Sequence, residues 1–207
     1  MSEELQGDPQ AAAPASGRKR PRPGERRQQI LQTLAQMLEQ AGGERITTAA
    51  LAARIGVSEA ALYRHFASKA QMFEGLIDFV EQACMGLIRQ VTEREPEGPQ
   101  QARRIVSLIL QFAEKNPGMC RVMTGDALIH EHVRLQQRMN LLMDKIEAQL
   151  RQSLRDAAAD SPTPTLEVQV RASLMLAFVQ GRLQRHVRTG FVRKPTEHLQ
   201  DSLARLG

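Results

Sequence analysis

Apolar residues recur at steps of three and four along most of this chain, and the pattern predicts helices rather than alternating strands. Ile30, Leu31, Leu34, Met37 and Leu38 form one such stripe between Arg26 and Gln40, and Ala41-Gly42-Gly43 ends that helix. Two short helices follow in TTAALAARIGVSEAALYRHFASK, residues 47–69. Thr47 or Thr48 can cap the first, whose buried side would carry Ala49, Leu51, Ala52 and Ile55. Gly56 supplies the positive-φ position that ends a helix, and Val57 fills the corner. Ser58 caps a second helix running to about His65, and Ala52, Ala53, Ala60 and Ala61 let the two backbones cross closely. Ser68 and Gln71 form a capping box that opens a fourth helix, from Lys69 to about Val91. That helix is apolar on two sides, so it bridges the first three helices and the rest, and its tilt sets where they sit.

Glu93 to Gln100 (EREPEGPQ) reads as a loop. Ile105, Val106, Leu108, Ile109 and Phe112 mark a fifth helix that Asn116-Pro117-Gly118 stops, and a short helix lies near Cys120–Leu128. A long helix spans about Glu131 to Ala158, striped by Leu135, Met139, Leu142, Ile146, Leu150 and Leu154. Ser161 to Thr165 (SPTPT) breaks the chain. The last helix runs from about Leu166 to Thr189, with Val170, Leu174, Ala177, Phe178 and Gly181 on one side. Ala172, Ser173, Ala177 and Gly181 are small enough for a partner helix to approach, which suits a four-helix homodimer interface; simple packing within one chain is the other reading.

Two apolar helices with a tight Gly-Val-Ser turn form the helix-turn-helix pattern, whose second helix enters the major groove of double-stranded DNA. Ser58, Glu59, Tyr63, Arg64 and His65 face outward there, within reach of bases or phosphates. Glu59 either accepts from a cytosine amino group or simply favours a helix N-terminus. Thr47 or Thr48 would anchor a phosphate, and Lys69 puts an ammonium where helix N–H groups already attract one. Two reading heads about one helical turn apart recognise a two-fold site, so DNA reading and dimerisation go together.

Charge sharpens this picture. The net charge is +5 over 207 residues. Residues 18–69 hold ten Lys/Arg against four Asp/Glu, +6, while residues 1–17 carry −3 and residues 70–207 carry +2. The excess lies on and just before the helix-turn-helix, as a phosphate-binding surface requires. Residues 1–25, rich in Pro, Ala, Gly and charge, are expected to be a disordered arm. Its RKRPR run is a minor-groove arm or a solubilising tail. Residues 26–69 would form the DNA-binding domain and residues 70–207 the helical core. Aromatic residues are 3% and Trp is absent, so the core is aliphatic. Cys84 and Cys120 lack paired spacing and read as buried reduced thiols. No apolar run approaches the roughly 20 residues a bilayer span needs, and no signal peptide follows Met1; a soluble, cytoplasmic protein is expected.

No phosphate-binding glycine loop, dinucleotide fingerprint, nucleophile elbow or zincin motif occurs. His130 and His132 are two apart and cannot share a helix face, and His186 and His198 lack ligand-spaced partners. Neither a catalytic centre nor a metal or cofactor site is expected.

At the residues of the motif the chain resembles the TetR family of regulators, all-α proteins with a helix-turn-helix domain and a larger helical dimerisation domain. Within it, RITTAALAARIGVSEAALYRHFASKAQMFEGLI, ILQFAEKNPGMCRVMTGDAL and DKIEAQLRQSLR are similar to the nucleoid occlusion factors. The similarity covers roughly residues 26–200. It implies a nucleoid-associated homodimer, with one or more dimers per palindromic site, that antagonises polymerisation of the tubulin-like division GTPase FtsZ. The alternative is a ligand-responsive repressor, though residues 92–207 offer an aromatic effector only Phe112, Phe178 and Phe191. The resemblance also implies an FtsZ site in a groove between the fourth and fifth helices, at Phe79, Leu108, Lys115 and Asn116. Leu87 and Gln111 depart from the pattern, standing where it has a basic residue and a glycine.

Overall fold

A computed structural model describes residues 24–40, 45–155 and 162–206. The basic run at residues 18–22 and the Ala41-Gly42-Gly43 stop lie outside them. Among the described residues there are nine α-helices, one 3₁₀ turn and no strand: α1 Glu25–Gln40, α2 Thr48–Ile55, α3 Glu59–Tyr63, α4 Lys69–Arg94, α5 Gly98–Lys115, α6 Pro117–Met123, α7 Val133–Leu154, α8 Pro164–Arg188 and α9 Leu199–Leu206. The turn covers Asp126–Leu128.

The local signals act as expected in the head. Thr47 caps α2, its side chain accepting from the Ala50 N–H. Gly56 sits at φ 76°, and the Gly56 and Val57 N–H groups close the helix on Ala53 and Ala52. Ser58 caps α3 by accepting from the Ala61 N–H. Ser68 caps α4, but Gln71 Oε1 accepts from the Ala67 N–H rather than from that of Ser68. The packing of the pair is narrower than expected. Leu51 and Ala52 are buried and Ile55 is half-buried, but Ala49, Ala53 and Ala60 face solvent. A helix of eight residues crossing one of five meets it over little more than one turn, so fewer small residues are needed.

Boundaries also shift. α4 continues to Arg94 and α5 starts at Gly98, so only three residues of the expected 93–100 loop are non-helical. Pro99 occupies the first turn of α5, where a missing N–H costs nothing, so a residue that reads as a loop signal in fact opens a helix. Pro117 likewise opens α6 directly after Asn116. Pro164 puts the start of α8 inside the expected SPTPT break. All six residues of the α7 stripe are buried.

One aliphatic core runs through head and body together. Ile30, Leu34 and Leu38 of α1 join Leu51, Leu62 and Phe66 to Met72, Phe73 and Ile77 of α4. α1 also lies on α6, where a Cβ at Gly118 would stand 2.2 Å from the Ala35 carbonyl oxygen. Cys84 and Cys120 are free and buried, and burial pushes both thiols up to about 12. No helix among the described residues is long and apolar enough to cross a membrane, and no group of three or more His, Cys, Asp or Glu among them could hold a metal ion.

Candidate nucleic-acid interface

The exposed surface of the head carries Ser58, Glu59, Tyr63, Arg64 and His65 together. α3 ends at Tyr63 rather than at His65, because the His65 and Phe66 N–H groups both turn back to the Leu62 carbonyl and bury Phe66. Tyr63 is 46% exposed, a large aromatic left in water on a charged face. Glu59 and Thr48 are joined: Thr48 Oγ1 donates to Glu59 Oε2 at 2.6 Å, leaving the second carboxylate oxygen open to a donor. Thr47 uses its hydroxyl as a cap acceptor, so its O–H remains able to meet a phosphate.

Lys69 is placed differently from expectation. Its side chain is only 17% exposed and its ammonium pairs with Glu131, whose side chain is 8% exposed, in the segment leading into α7. Arg45 reaches the same carboxylate at 4.0 Å. Lys69 is therefore engaged within the chain, and a phosphate would have to displace Glu131. Neither Arg45 nor Glu131 stood out in the sequence, because the pairing of Lys69 with Glu131 joins segments 62 residues apart.

That pair opens a seam of charge between α4 and α7. Arg134 pairs with Glu74 at 2.9 Å and Arg138 with Asp78 at 2.7 Å; Lys145 pairs with Glu81. The Asp78 carboxylate raises the Arg138 pKa, chiefly through its hydrogen bond. The two helices run parallel, and the seam ends at the head.

The residues expected at the partner groove do not share one concavity. Phe79 is 51% exposed, with its ring 6.3 Å from that of Phe112. With Asn116 it lines a cavity of about 420 Å³ that also draws on Leu31 and Ala35 of α1, Leu76 of α4 and Met119 of α6. Leu108 instead lines a cavity with Gln111 and with Leu203 of α9. The reason is the packing of α1 across α4 and α6, which adds a wall the sequence pattern did not show. Phe112, one turn after Leu108, is half-buried and lies beside Phe79. Lys115 is exposed, whereas the Asn116 amide is occupied, donating to the Phe112 carbonyl at 2.7 Å.

On α8, Val170, Leu174, Ala177 and Gly181 are exposed and Phe178 is half-buried under Arg182, whose guanidinium lies 4.8 Å from the ring centre. Ala172, expected on the same face, is fully buried. Leu166 extends the exposed line by one more turn.

Residues 30–76 match the family described as bacterial regulatory proteins, tetR family, and residues 100–206 match the tetracyclin repressor-like C-terminal domain of the SlmA-like type. A nucleoid occlusion factor SlmA of Idiomarina loihiensis is 50% identical over 174 residues, covering 84% of this chain and 89% of that protein. Those of Shewanella sp. (strain MR-4) and Vibrio vulnificus (strain YJ016) are each 48% identical, covering 85% and 87% of this chain and 90% and 93% of theirs. The chain belongs to the SlmA family of TetR-type proteins. Solved structures agree on the fold. A TetR-family regulator, PfmR of Thermus thermophilus, superposes with a TM-score of 0.70 at 19% identity, over 86% of this chain and 96% of that one. The fatty acid degradation regulator FadR of Bacillus halodurans gives 0.71 at 13% identity, over 88% and 95%.

Proposed function

We propose that this protein is a nucleoid occlusion factor: a cytoplasmic, nucleoid-associated homodimer that binds palindromic chromosomal sites and there antagonises FtsZ assembly. The observation that carries the reading is the 48% identity to SlmA proteins over nearly their whole length, joined to an exposed reading face of the right chemistry. Ser58, Glu59, Tyr63, Arg64 and His65 read or grip the duplex, and Thr47, Thr48 and Lys69 hold phosphates at helix starts. Residues 26–69 act as the DNA-binding unit and residues 70–207 as the dimerisation and partner-binding unit, with α1 packed on both. The α8 line of Val170, Leu174, Ala177, Phe178 and Gly181 forms the dimer contact, supported by an apolar stripe in water that a lone chain has no reason to keep.

The FtsZ contact is assigned to Phe79, Leu108, Lys115 and Asn116. An exposed Phe79 beside Phe112 offers apolar anchorage for a short peptide, and the exposed Lys115 ammonium offers a partner for its carboxylate. Because Phe79 and Leu108 line separate cavities, such a peptide would lie across the Phe79–Phe112 ridge rather than inside either cavity. The direct test is Lys115→Glu at this exposed site. The variant is expected to bind palindromic DNA as wild type does and to lose its effect on FtsZ polymerisation, read by light scattering. FtsZ inhibition at the wild-type level would remove Lys115 and the ridge from the contact. Catalysis has no part in this reading.

A further inference from the structure

We infer that Arg27 is a positioning residue for the reading helix, holding the segment that carries Tyr63, Arg64 and His65 at a defined angle to DNA; the inference rests on the DNA-binding reading above. α3 has only five residues, fewer than two turns, and a helix that short does not hold its own C-terminal end. Its last carbonyls need partners from elsewhere. Arg27 reaches the chain just past that end from α1: Nη1 donates to the His65 carbonyl at 3.0 Å, across 38 residues of sequence. The same guanidinium lies 4.0 Å from the centre of the Phe66 ring. Phe66 is 1% exposed and ties the end of α3 into the core. One cation thus grips two consecutive residues just past the helix, one by its backbone and one by its ring.

This arrangement needs arginine. A planar guanidinium can stack its face on a ring while its edge donates to a carbonyl, and an ammonium can satisfy only one of the two at full strength. The geometry also argues against a simple phosphate contact, since the Arg27 face and one edge are already committed within the chain. His65 is the link to function. Its carbonyl is held by Arg27 while its side chain faces solvent on the reading surface, so a loosened carbonyl would swing the ring that meets the duplex.

The experiment first lets wild-type protein enrich duplexes from a random-sequence pool. The enriched duplex and a scrambled duplex of the same composition then serve as probes, with fluorescence anisotropy recorded at several salt concentrations for wild type, Arg27→Lys and Arg27→Ala. Arg27→Lys is expected to weaken the enriched duplex roughly tenfold, the scale of one charge-assisted hydrogen bond. The scrambled duplex should stay within about twofold of wild type, with an unchanged salt slope, because no phosphate contact is lost. Arg27→Ala should be at least as selective in its damage. Should Arg27→Ala lose its helical circular dichroism, Arg27→Lys decides alone, since it keeps length and charge. Equal losses on both duplexes, with a slope shallower by about one in Arg27→Ala, would make Arg27 a phosphate contact and overturn the inference. Unchanged affinity of Arg27→Lys for both duplexes would overturn it as well. If wild type enriches no sequence, the DNA-recognition reading itself fails and the Arg27 inference falls with it.

Discussion

At Lys69 an incoming phosphate would meet competition from a carboxylate already in place. Glu131 is nearly buried and faces two cations, Lys69 and Arg45, so removing its charge should release both for DNA. Glu131→Gln is expected to bind duplexes about fivefold more tightly at a given salt concentration, on the scale of one charged hydrogen bond. Lys69→Ala should weaken all sequences about equally and lower the salt slope by roughly one. Anisotropy titrations check both, and a Glu131→Gln variant no tighter than wild type would mean that Lys69 stays on the protein when DNA is bound. Glu114 is a second charged residue with a structural task. The Thr196 hydroxyl does most to hold its carboxyl below the ordinary value of 4.5; burial opposes it, and Lys194 adds a smaller lowering. A depressed carboxyl contributes stability that is fully present above its unfolded value and lost as pH falls through the lower folded one. Glu114→Gln should therefore lose less thermal stability than wild type between neutral pH and the acid range below 4.5, measured by circular dichroism melts.

Among the elements, α1 and α6 bring head and body backbones close together. A methyl at Gly118 would meet the Ala35 carbonyl at 2.2 Å, and backbone cannot step aside as a flexible side chain does. Gly118→Ala is expected to destabilise the protein by about 1–3 kcal/mol, the range for overpacking, visible as a lowered melting temperature. An unchanged melt would show that the two helices can slide apart freely. α4 joins this crossing to the charged seam with α7, so its two sides have different chemistry. One is aliphatic, with Met72, Leu76 and Val80; the other pairs Glu74, Asp78 and Glu81 with α7. Exposed pairs of this kind contribute little each, roughly 0–1 kcal/mol, so the seam sets register more than stability.

For the whole molecule the question is the second copy. Leu166, Val170 and Leu174 follow one another on the outer face of α8, each about half exposed, with Ala177 and Gly181 continuing the line. At the proposed interface Ala177→Glu would put a charge between close helices without a partner and should leave a monomer at micromolar concentration. Sedimentation velocity decides: a variant that sediments like wild type places the interface elsewhere. A folded monomer should also lose most of its preference for two-fold sites, since one head reads only half of each.

What the sequence determined by itself was the caps and apolar stripes written within one or two turns. Thr47, Gly56, Ser58 and Ser68 cap or end their helices with partners three or four residues away, and the α7 stripe repeats at the helix period. Such contacts exist as soon as the helix does, so spacing alone reveals them. α9 escaped notice because the segment before it turns through positive φ at Phe191 and His198, residues that do not read as turn signals. Tertiary structure decided the rest. Arg27 meets His65, Lys69 meets Glu131, and α1 walls the Phe79 cavity only because helices distant in sequence pack in one register. A periodic pattern states which face of a helix is buried; it does not state against what.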